Sequence, residues 1–102
     1  VSVQSKDLAD DASFEFGERF YQTNVGLFAV SVNYSSDTQG LFSTSGNAIY
    51  EIAGTGGSLF ELSITGTNPD VDGKFNMWYT GGKLNVKNRL GDSRVATVTF
   101  MG

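Results

Sequence analysis

The feature of this sequence that most constrains its fold is a regular alternation between short apolar runs and clusters of Gly, Asn, Asp and Ser. The runs recur about every eight to fourteen residues, a spacing typical of a β-sandwich or barrel. Within a run, apolar side chains tend to occupy every second position, as Phe14 and Phe16 do on either side of Glu15. This period is that of a strand with one buried face. No apolar pattern of helical period is long enough to predict a stable helix.

We predict an all-β fold, an antiparallel β-sandwich or jelly roll of seven to eight strands. We expect one domain, 1–102, in which residues 1–11 form an extended or interface arm. The only helix candidate, residues 7–12, is too short to be stable alone, and we interpret it as a turn or an edge segment. The predicted strands occupy residues 12–16, 26–34, 41–45, 48–53, 59–65, 74–80, 83–88 and 94–101.

The alternation also predicts which side chains face the core. The run 26–34 is predicted to be a central strand, covered on both faces for half its length, because both of its faces begin apolar. Tight hairpin turns are predicted at Gly46 and at the pair Gly81 and Gly82. The predicted core positions of the later strands are Phe60, Leu62, Ile64, Phe75, Met77, Tyr79, Leu84 and Val86.

Composition excludes several classes of function. The chain has no Cys and no His, which excludes disulfide scaffolds, thiolate metal sites and His-dependent catalytic triads. Seven Lys and Arg against eleven Asp and Glu give a net charge of −4, so nucleic acid is not an expected partner. The chain lacks the run of about 18 apolar residues that a membrane-spanning helix needs, so we expect no membrane insertion. We also expect no cofactor.

The acidic segment before the strand 74–80 resembles the start of a calcium-binding loop. Asn68, Asp70 and Asp72 place oxygen ligands at alternate positions before Gly73. An EF-hand also needs a bidentate Glu at its twelfth position, where this chain has Tyr79, so that interpretation fails. A looser calcium site in this loop remains an alternative. We prefer an Asx turn that joins two strands, and therefore predict no metal site.

Two strand carboxylates, Glu51 and Glu61, are the residues from which a glycosidase pair would have to be built. We interpret both as surface charges that discourage aggregation at strand edges, because a domain of this size leaves little room for a substrate cleft. The chain is therefore not expected to be an enzyme.

The aromatic residues suggest binding instead of catalysis. Trp78 lies on the polar side of its predicted strand, beside Asn76, and an exposed Trp is typical of a subunit interface or a sugar-stacking site. We favour the interface over burial in the core, and burial over sugar contact. The predicted ligand or interface residues are Trp78, Tyr50, Asn76, Glu61 and Asp37. A surplus of apolar side chains on the predicted outward faces also favours assembly; these are Leu27, Ala29, Ile49, Ala53, Leu59, Val95 and Met101.

Four stretches of the chain resemble the small β-sandwich domains of fibre, spike and head-fibre proteins of tailed bacteriophages. The most distinctive of them carries an Asn-Arg-Leu-Gly turn before the last strand. The stretches are residues 7–12 (DLADDA), 26–30 (GLFAV), 71–74 (VDGK) and 82–91 (GKLNVKNRLG).

The resemblance implies a homo-oligomer, with a trimer favoured, on the surface of a virion. It implies a structural or adhesion role, as a fibre, spike or capsid decoration module that binds host-surface glycans or other virion proteins. No catalytic residue is carried over. The alternative is a cellular carbohydrate-binding module, which would be a monomer with Trp78 or Tyr50 exposed.

Overall fold

The computed structural model describes residues 2–19, 25–34, 38–55 and 57–101. This part of the chain contains nine strands and no helix that is long and apolar enough to cross a membrane. The predicted N-terminal arm supplies the strand beyond the eight expected. The strands are β1 (Ser2–Leu8), β2 (Ser13–Arg19), β3 (Val25–Val32), β4 (Gln39–Ser45), β5 (Ala48–Gly54), β6 (Phe60–Leu62), β7 (Phe75–Thr80), β8 (Lys83–Asn88) and β9 (Arg94–Phe100).

The strands form two sheets, which confirms the predicted all-β sandwich. The first sheet has the order β1-β9-β3-β4-β5, and the second has the order β2-β8-β7-β6. Successive strands change sheet four times, from β1 to β2, from β2 to β3, from β5 to β6 and from β8 to β9. Because β1 pairs with β9 and β2 pairs with β8, the first and last of these crossings run side by side and join the sheets along one edge.

One strand pair departs from the antiparallel pattern. β6 runs parallel to β7, with Phe60 opposite Phe75 and Leu62 opposite Met77. The connection 63–74 between them is long enough to carry the chain back to the end at which β6 began, which a parallel pair requires. Ile64 lies in this connection and is 66% exposed, so its predicted core position is wrong. The strand ends at Leu62, although the alternation of apolar residues in the sequence continues to Ile64.

The core is built around a chain of aromatic rings that crosses from one sheet to the other. Phe28 stacks on Phe42 with 5.5 Å between the ring centroids. Phe42 and Phe60 meet edge to face with 5.3 Å between their centroids. Phe60 in turn meets Phe75 at 6.0 Å. The predicted core positions of β7 and β8 are confirmed, since all of them are buried; they are Phe75, Met77, Tyr79, Leu84 and Val86.

Both predicted hairpin turns are present. Gly46 and Asn47 join β4 to β5, and Gly81 and Gly82 join β7 to β8. The second turn has φ of +62° and +76° at its two glycines, as a type I′ turn requires. Its twist matches that of the strands on either side.

A bulge in β5 reverses part of the predicted pattern. Leu41 pairs with Ala53 while the next residue, Phe42, pairs with Glu51, so Ile52 has no partner across the strand pair. The extra residue changes the face on which the following side chains lie. Ile49, predicted to face outward with Ala53, is therefore wrongly placed: it is buried in the core.

β3 is central, as predicted, but only one of its faces is covered. It lies between β9 and β4, and its side chains Phe28, Val30 and Val32 are buried. On the other face Leu27 is 42% exposed, so the prediction of cover on both faces is wrong. The strand ends at Val32, and Tyr34 lies exposed beyond it.

Asn88, at the end of β8, joins the crossing from β1 to β2 to the crossing from β8 to β9. Its side chain is fully buried, and the two hydrogens of Nδ2 are donated to the backbone carbonyls of Asp92 at 2.8 Å and Leu8 at 3.0 Å, with the Ala9 carbonyl at 3.3 Å sharing one of them. Its Oδ1 accepts from the backbone N–H of Leu90 at 3.0 Å. One side chain thus holds the turn after β1 against the turn before β9.

Candidate functional site

A groove of about 410 Å³ crosses the outer face of the first sheet. Most of its lining side chains are small and come from β3, β5 and β9, and β4 adds Leu41 and Gln39. The lining also includes Gly40 and Gly54, which face each other on β4 and β5. This groove was not predicted from the sequence.

The register of the strands arranges the outward side chains in two parallel rows that cross the sheet, and the groove is lined by the parts of these rows on β9, β3, β4 and β5. We call them the floor row and the polar row. The floor row is Val3, Thr99, Ala29, Leu41 and Ala53. The polar row is Ser5, Thr97, Ser31, Gln39 and Thr55.

The polar row supplies one neutral hydrogen-bonding side chain from each strand and from the residue after β5. The hydroxyls of Ser5 and Thr97 form a hydrogen bond of 2.8 Å, and the backbone N–H of Thr55 donates to the backbone carbonyl of Gln39 at 2.9 Å. Hydroxyl and amide groups both donate and accept hydrogen bonds. The row is therefore equipped to hold a neutral polar ligand.

A third row, which we call the rim row, borders the floor row on the side away from the polar row. Leu27 pairs with Ser43, and Ser43 pairs with Tyr50. Met101 lies on the other side of Leu27, where its backbone N–H donates to the Leu27 carbonyl at 2.9 Å. Leu27, Tyr50 and Met101 are all exposed, so one side of the groove has an apolar border.

The outer face of the first sheet carries little charge. Among the described strand residues whose side chains lie on this outer face, Asp7 of β1 is the only carboxylate. The two described cations of this sheet point elsewhere: Lys6 lies 5.0 Å from the centroid of the Phe14 ring, and the Arg94 guanidinium lies 4.8 Å from that of Tyr34. The sheet thus offers a neutral surface on an acidic protein.

Of the apolar side chains predicted to face outward, Leu27, Val95 and Met101 are exposed. Ala53 is exposed as well, and Ala29 is half-buried on the groove floor. Leu59 differs from the prediction, because it packs against the core cluster from the segment before β6. The surplus of exposed apolar groups is therefore smaller than predicted and is concentrated on the first sheet.

The predicted ligand residues do not form one site. Tyr50 is 52% exposed on the outer face of the first sheet. Trp78 lies half-buried on the outer face of the second sheet, opposite Asn85. Glu61 pairs with Asn76 on that same sheet, and Asp37 lies outside the described residues. The function of Trp78 as an interface residue stays a prediction.

Asn76 is not available to a ligand, which corrects its predicted position on an outward polar face. The connection 63–74 covers it, and the side chain is fully buried. Its Oδ1 accepts from the backbone N–H of Val71 at 2.8 Å, and its Nδ2 donates to the carbonyls of Val71 and Lys74. Asn76 therefore fixes the loop before β7.

The two carboxylates considered for hydrolysis lie on different sheets. Glu51 is exposed on β5 of the first sheet, and Glu61 is half-buried on β6 of the second. A glycosidase needs its two carboxyl groups on either side of one scissile bond.

The acidic segment 68–72 is held by cations of the chain itself. Lys87 Nζ lies 2.9 Å from Asp70 Oδ1, and Arg89 lies 3.6 Å from both Asp70 and Asp72. Asn68 Oδ1 accepts from the backbone N–H of Asp70 at 2.9 Å, so the preferred Asx turn is present. Within the described ranges no cluster of three or more acidic residues is arranged to hold a metal ion.

Arg89 also holds a second turn. Its Nε lies 3.4 Å from Asp11 Oδ1, and its Nη1 donates to the Asp70 carbonyl at 2.8 Å. Asp11 and Asp70 have φ of +65° and +53°, a conformation that Asp adopts more readily than most residues. The guanidinium thus stabilises two turns with unusual backbone geometry, and this group of charges is structural.

Replacing Asp70 with asparagine is expected to destabilise the fold at neutral pH, and the loss should disappear in acid. The hydrogen bond from Lys87, with the charges of Lys87 and Arg89, lowers the pKa of the Asp70 carboxyl below its usual value. A lowered pKa means stabilisation that is complete above about pH 4 and is lost as the pH falls through the lower folded-state value. Urea unfolding of both proteins at several pH values measures this difference.

Asp72→Asn is the matched control, because Asp72 is 87% exposed and makes one long contact with Arg89. It should change the stability less than Asp70→Asn does at neutral pH. A difference between wild type and Asp70→Asn that stays constant down to pH 2 would show that the ion pair does not contribute.

Comparison with protein-family models, curated proteins and solved structures gave no match. The function must therefore be inferred from this chain's own surface. The groove could have been anticipated only in part: Ala29 with Ser31 and Thr97 with Thr99 are small side chains at every second position. That they lie side by side depends on the strand order.

Proposed function

We propose that the chain is a non-enzymatic binding module of a virus particle, a fibre, spike or capsid decoration domain of the tailed-phage type. In this proposal it forms a homo-oligomer on the particle surface and contacts host glycans or other virion proteins. The observation that carries the proposal is the neutral, partly apolar outer face of the first sheet. The sequence resemblance described above supplies the virion context and favours a trimer.

The rim row is the proposed contact between copies. Each copy has a net charge of −4, so association through a charged face would be opposed by like-charge repulsion. Leu27, Tyr50 and Met101 offer apolar area without that repulsion. Exposed apolar side chains on one face are typical of protein interfaces.

A role without catalysis is supported by the use of the charged residues. Asp11, Asp70 and Asp72 contact Arg89, and Glu15 contacts Lys83 at 3.4 Å. These carboxylates stabilise turns and strand pairs. A rigid sandwich that presents side chains from paired strands is well suited to binding, and several copies on a particle would multiply weak contacts.

Sedimentation velocity at micromolar concentration tests the proposal. We expect an oligomer for the wild type and a monomer for Leu27→Arg, because a cation in the rim row would have to be buried without a partner. Ile64→Arg is the matched control, since Ile64 is also exposed and apolar but lies in the connection 63–74. It should leave the oligomer intact. A monomeric wild type would contradict the proposal.

The second candidate function is a cellular carbohydrate-binding module. Tyr50, half-exposed beside the groove, favours it, because aromatic rings are common sugar contacts. The two functions differ in assembly: the cellular module is expected to be a monomer that binds a glycan saturably. Sedimentation and glycan binding measured on the same preparation distinguish them.

A further inference from the structure

The groove has the shape of a track for an extended chain. The groove is lined by four neighbouring strands of the first sheet, β9, β3, β4 and β5, over roughly 14 Å at the usual strand spacing of about 4.8 Å. Small side chains such as Ala29, Ala53 and Thr97 let an occupant approach the backbone. A flat face of a second copy would leave this hollow unfilled, whereas an extended chain would fill it.

The two rows differ in chemistry, and the difference runs along the whole track. Where it lines the groove, the floor row is mainly aliphatic, with Ala29, Leu41 and Ala53 beside Thr99. The polar row beside it presents hydroxyls and one amide. An occupant must therefore carry apolar surface on one side and neutral donors and acceptors on the other, repeated at about one strand spacing.

Sugar chains meet this description. A pyranose ring has an aliphatic C–H face and a hydroxyl edge, and one ring is about as long as the spacing between strands. Sugar hydroxyls donate and accept, as the Ser, Thr and Gln side chains of the polar row do. A peptide fits less well, because its backbone places donors and acceptors on both of its sides. The groups on the side that faces the floor row would find few hydrogen-bond partners there.

The charge of the groove selects among sugars. Among the residues described as lining it, none is ionisable. A carboxylated or sulfated sugar would meet no cation there, and the net charge of −4 would repel it. The ligand class is therefore neutral.

We propose that the groove binds a neutral oligosaccharide that lies across the strands, with its ring faces on the floor row and its hydroxyls on the polar row. This inference rests on the proposed function, since it names the ligand class of the same outer face. It uses rows other than the rim row, so binding and assembly are separable. Trp78 lies on the other sheet and takes no part in it.

The test is a panel of immobilised neutral oligosaccharides of four or more units, set beside sialylated and uronic acid oligomers. Hits are followed by calorimetry with the free oligosaccharide. The double variant Ser31→Ala with Thr97→Val removes two central hydroxyls with little change of shape. Each lost hydrogen bond contributes about 1 kcal/mol, so affinity should fall about tenfold or more. Thr80→Val, an exposed Thr on β7, is the matched control and should bind as the wild type does.

Binding of neutral oligosaccharides that the double variant loses and the control keeps would support the proposal. Silence on the whole panel, binding of acidic oligomers only, or binding that survives the double variant would overturn it. Thermal unfolding of each variant shows that the fold is intact. If the panel is silent while Leu27→Arg still breaks an oligomer, the glycan ligand fails and the particle module stands. If the wild type is a monomer that binds neutral glycan, the particle module fails and the glycan ligand stands.

Discussion

Asn88→Ala is expected to lower the free energy of unfolding by about 3–5 kcal/mol, through loss of the hydrogen bonds that its fully buried side chain makes. The Nδ2 group donates to the carbonyls of Leu8, Ala9 and Asp92, and Oδ1 accepts from the N–H of Leu90. Alanine removes this partner from the Leu8 carbonyl in a buried place and from three part-buried backbone groups, and an unsatisfied buried group costs about 1–3 kcal/mol. Urea unfolding followed by the fluorescence of Trp78 measures the change.

Two further variants make the Asn88 prediction specific. Asn88→Asp keeps the acceptor but loses the donors, so it should be at least as destabilising as Asn88→Ala. Asn85→Ala is the control on the same strand: Asn85 is half-buried and donates to the nearby carbonyl of Lys83 at 3.3 Å. It should cost less than about 1 kcal/mol. If Asn88→Ala unfolds within that same range, Asn88 does not hold the two crossings together.

Phe42→Ala is expected to cost a similar amount, about 3–5 kcal/mol, by leaving a cavity in the centre of the sandwich. The Phe42 ring is fully buried, stacks on Phe28 and contacts Phe60 of the other sheet, so it bridges the two layers. It also lies beneath Gly40, where an added Cβ would come within 2.5 Å of the ring. Few neighbours can move to fill the space.

A graded series distinguishes cavity formation from a general effect of mutation. Phe42→Leu keeps most of the apolar volume and should cost clearly less than Phe42→Ala. Ile52→Ala, at the exposed bulge of β5, should change stability by less than about 0.5 kcal/mol. In thermal and urea unfolding, Phe42→Ala should lose the most stability, Phe42→Leu less, and Ile52→Ala least. Equal losses for Phe42→Leu and Phe42→Ala would contradict a packing origin.

Fold class was predictable because most strands keep one strict period. In β7 and β8 every second side chain is apolar, and Met77, Tyr79 and Val86 are buried as the pattern predicts. The pattern fails where the chain departs from a regular strand. The bulge at Ile52 reverses faces within β5, and no composition or spacing announces it. Ile64 continues the alternation of β6 beyond the point where that strand ends.

The candidate site was less predictable, since it depends on which strands become neighbours. Ala29, Thr97 and Ala53 are small residues far apart in the sequence, and only the order of the first sheet places them in one groove. The sequence places Asn88 where a strand ends and a turn begins, and it does not indicate the contacts that its side chain makes. Its partners Leu8 and Ala9 lie about 80 residues away along the chain, at a distance that no local motif encodes.

The pairing of β1 with β9 has a mechanical consequence. Ser2 lies opposite Phe100, so the two outermost residues of these strands are neighbours at the same end of the first sheet. A pull applied through both would load the pairs of this ladder one after another, like a zipper, instead of shearing all of them at once. Unzipping requires the smaller force. If the proposed oligomer must withstand tension, the contacts between its copies would have to carry the force, because this strand pair separates under a small one.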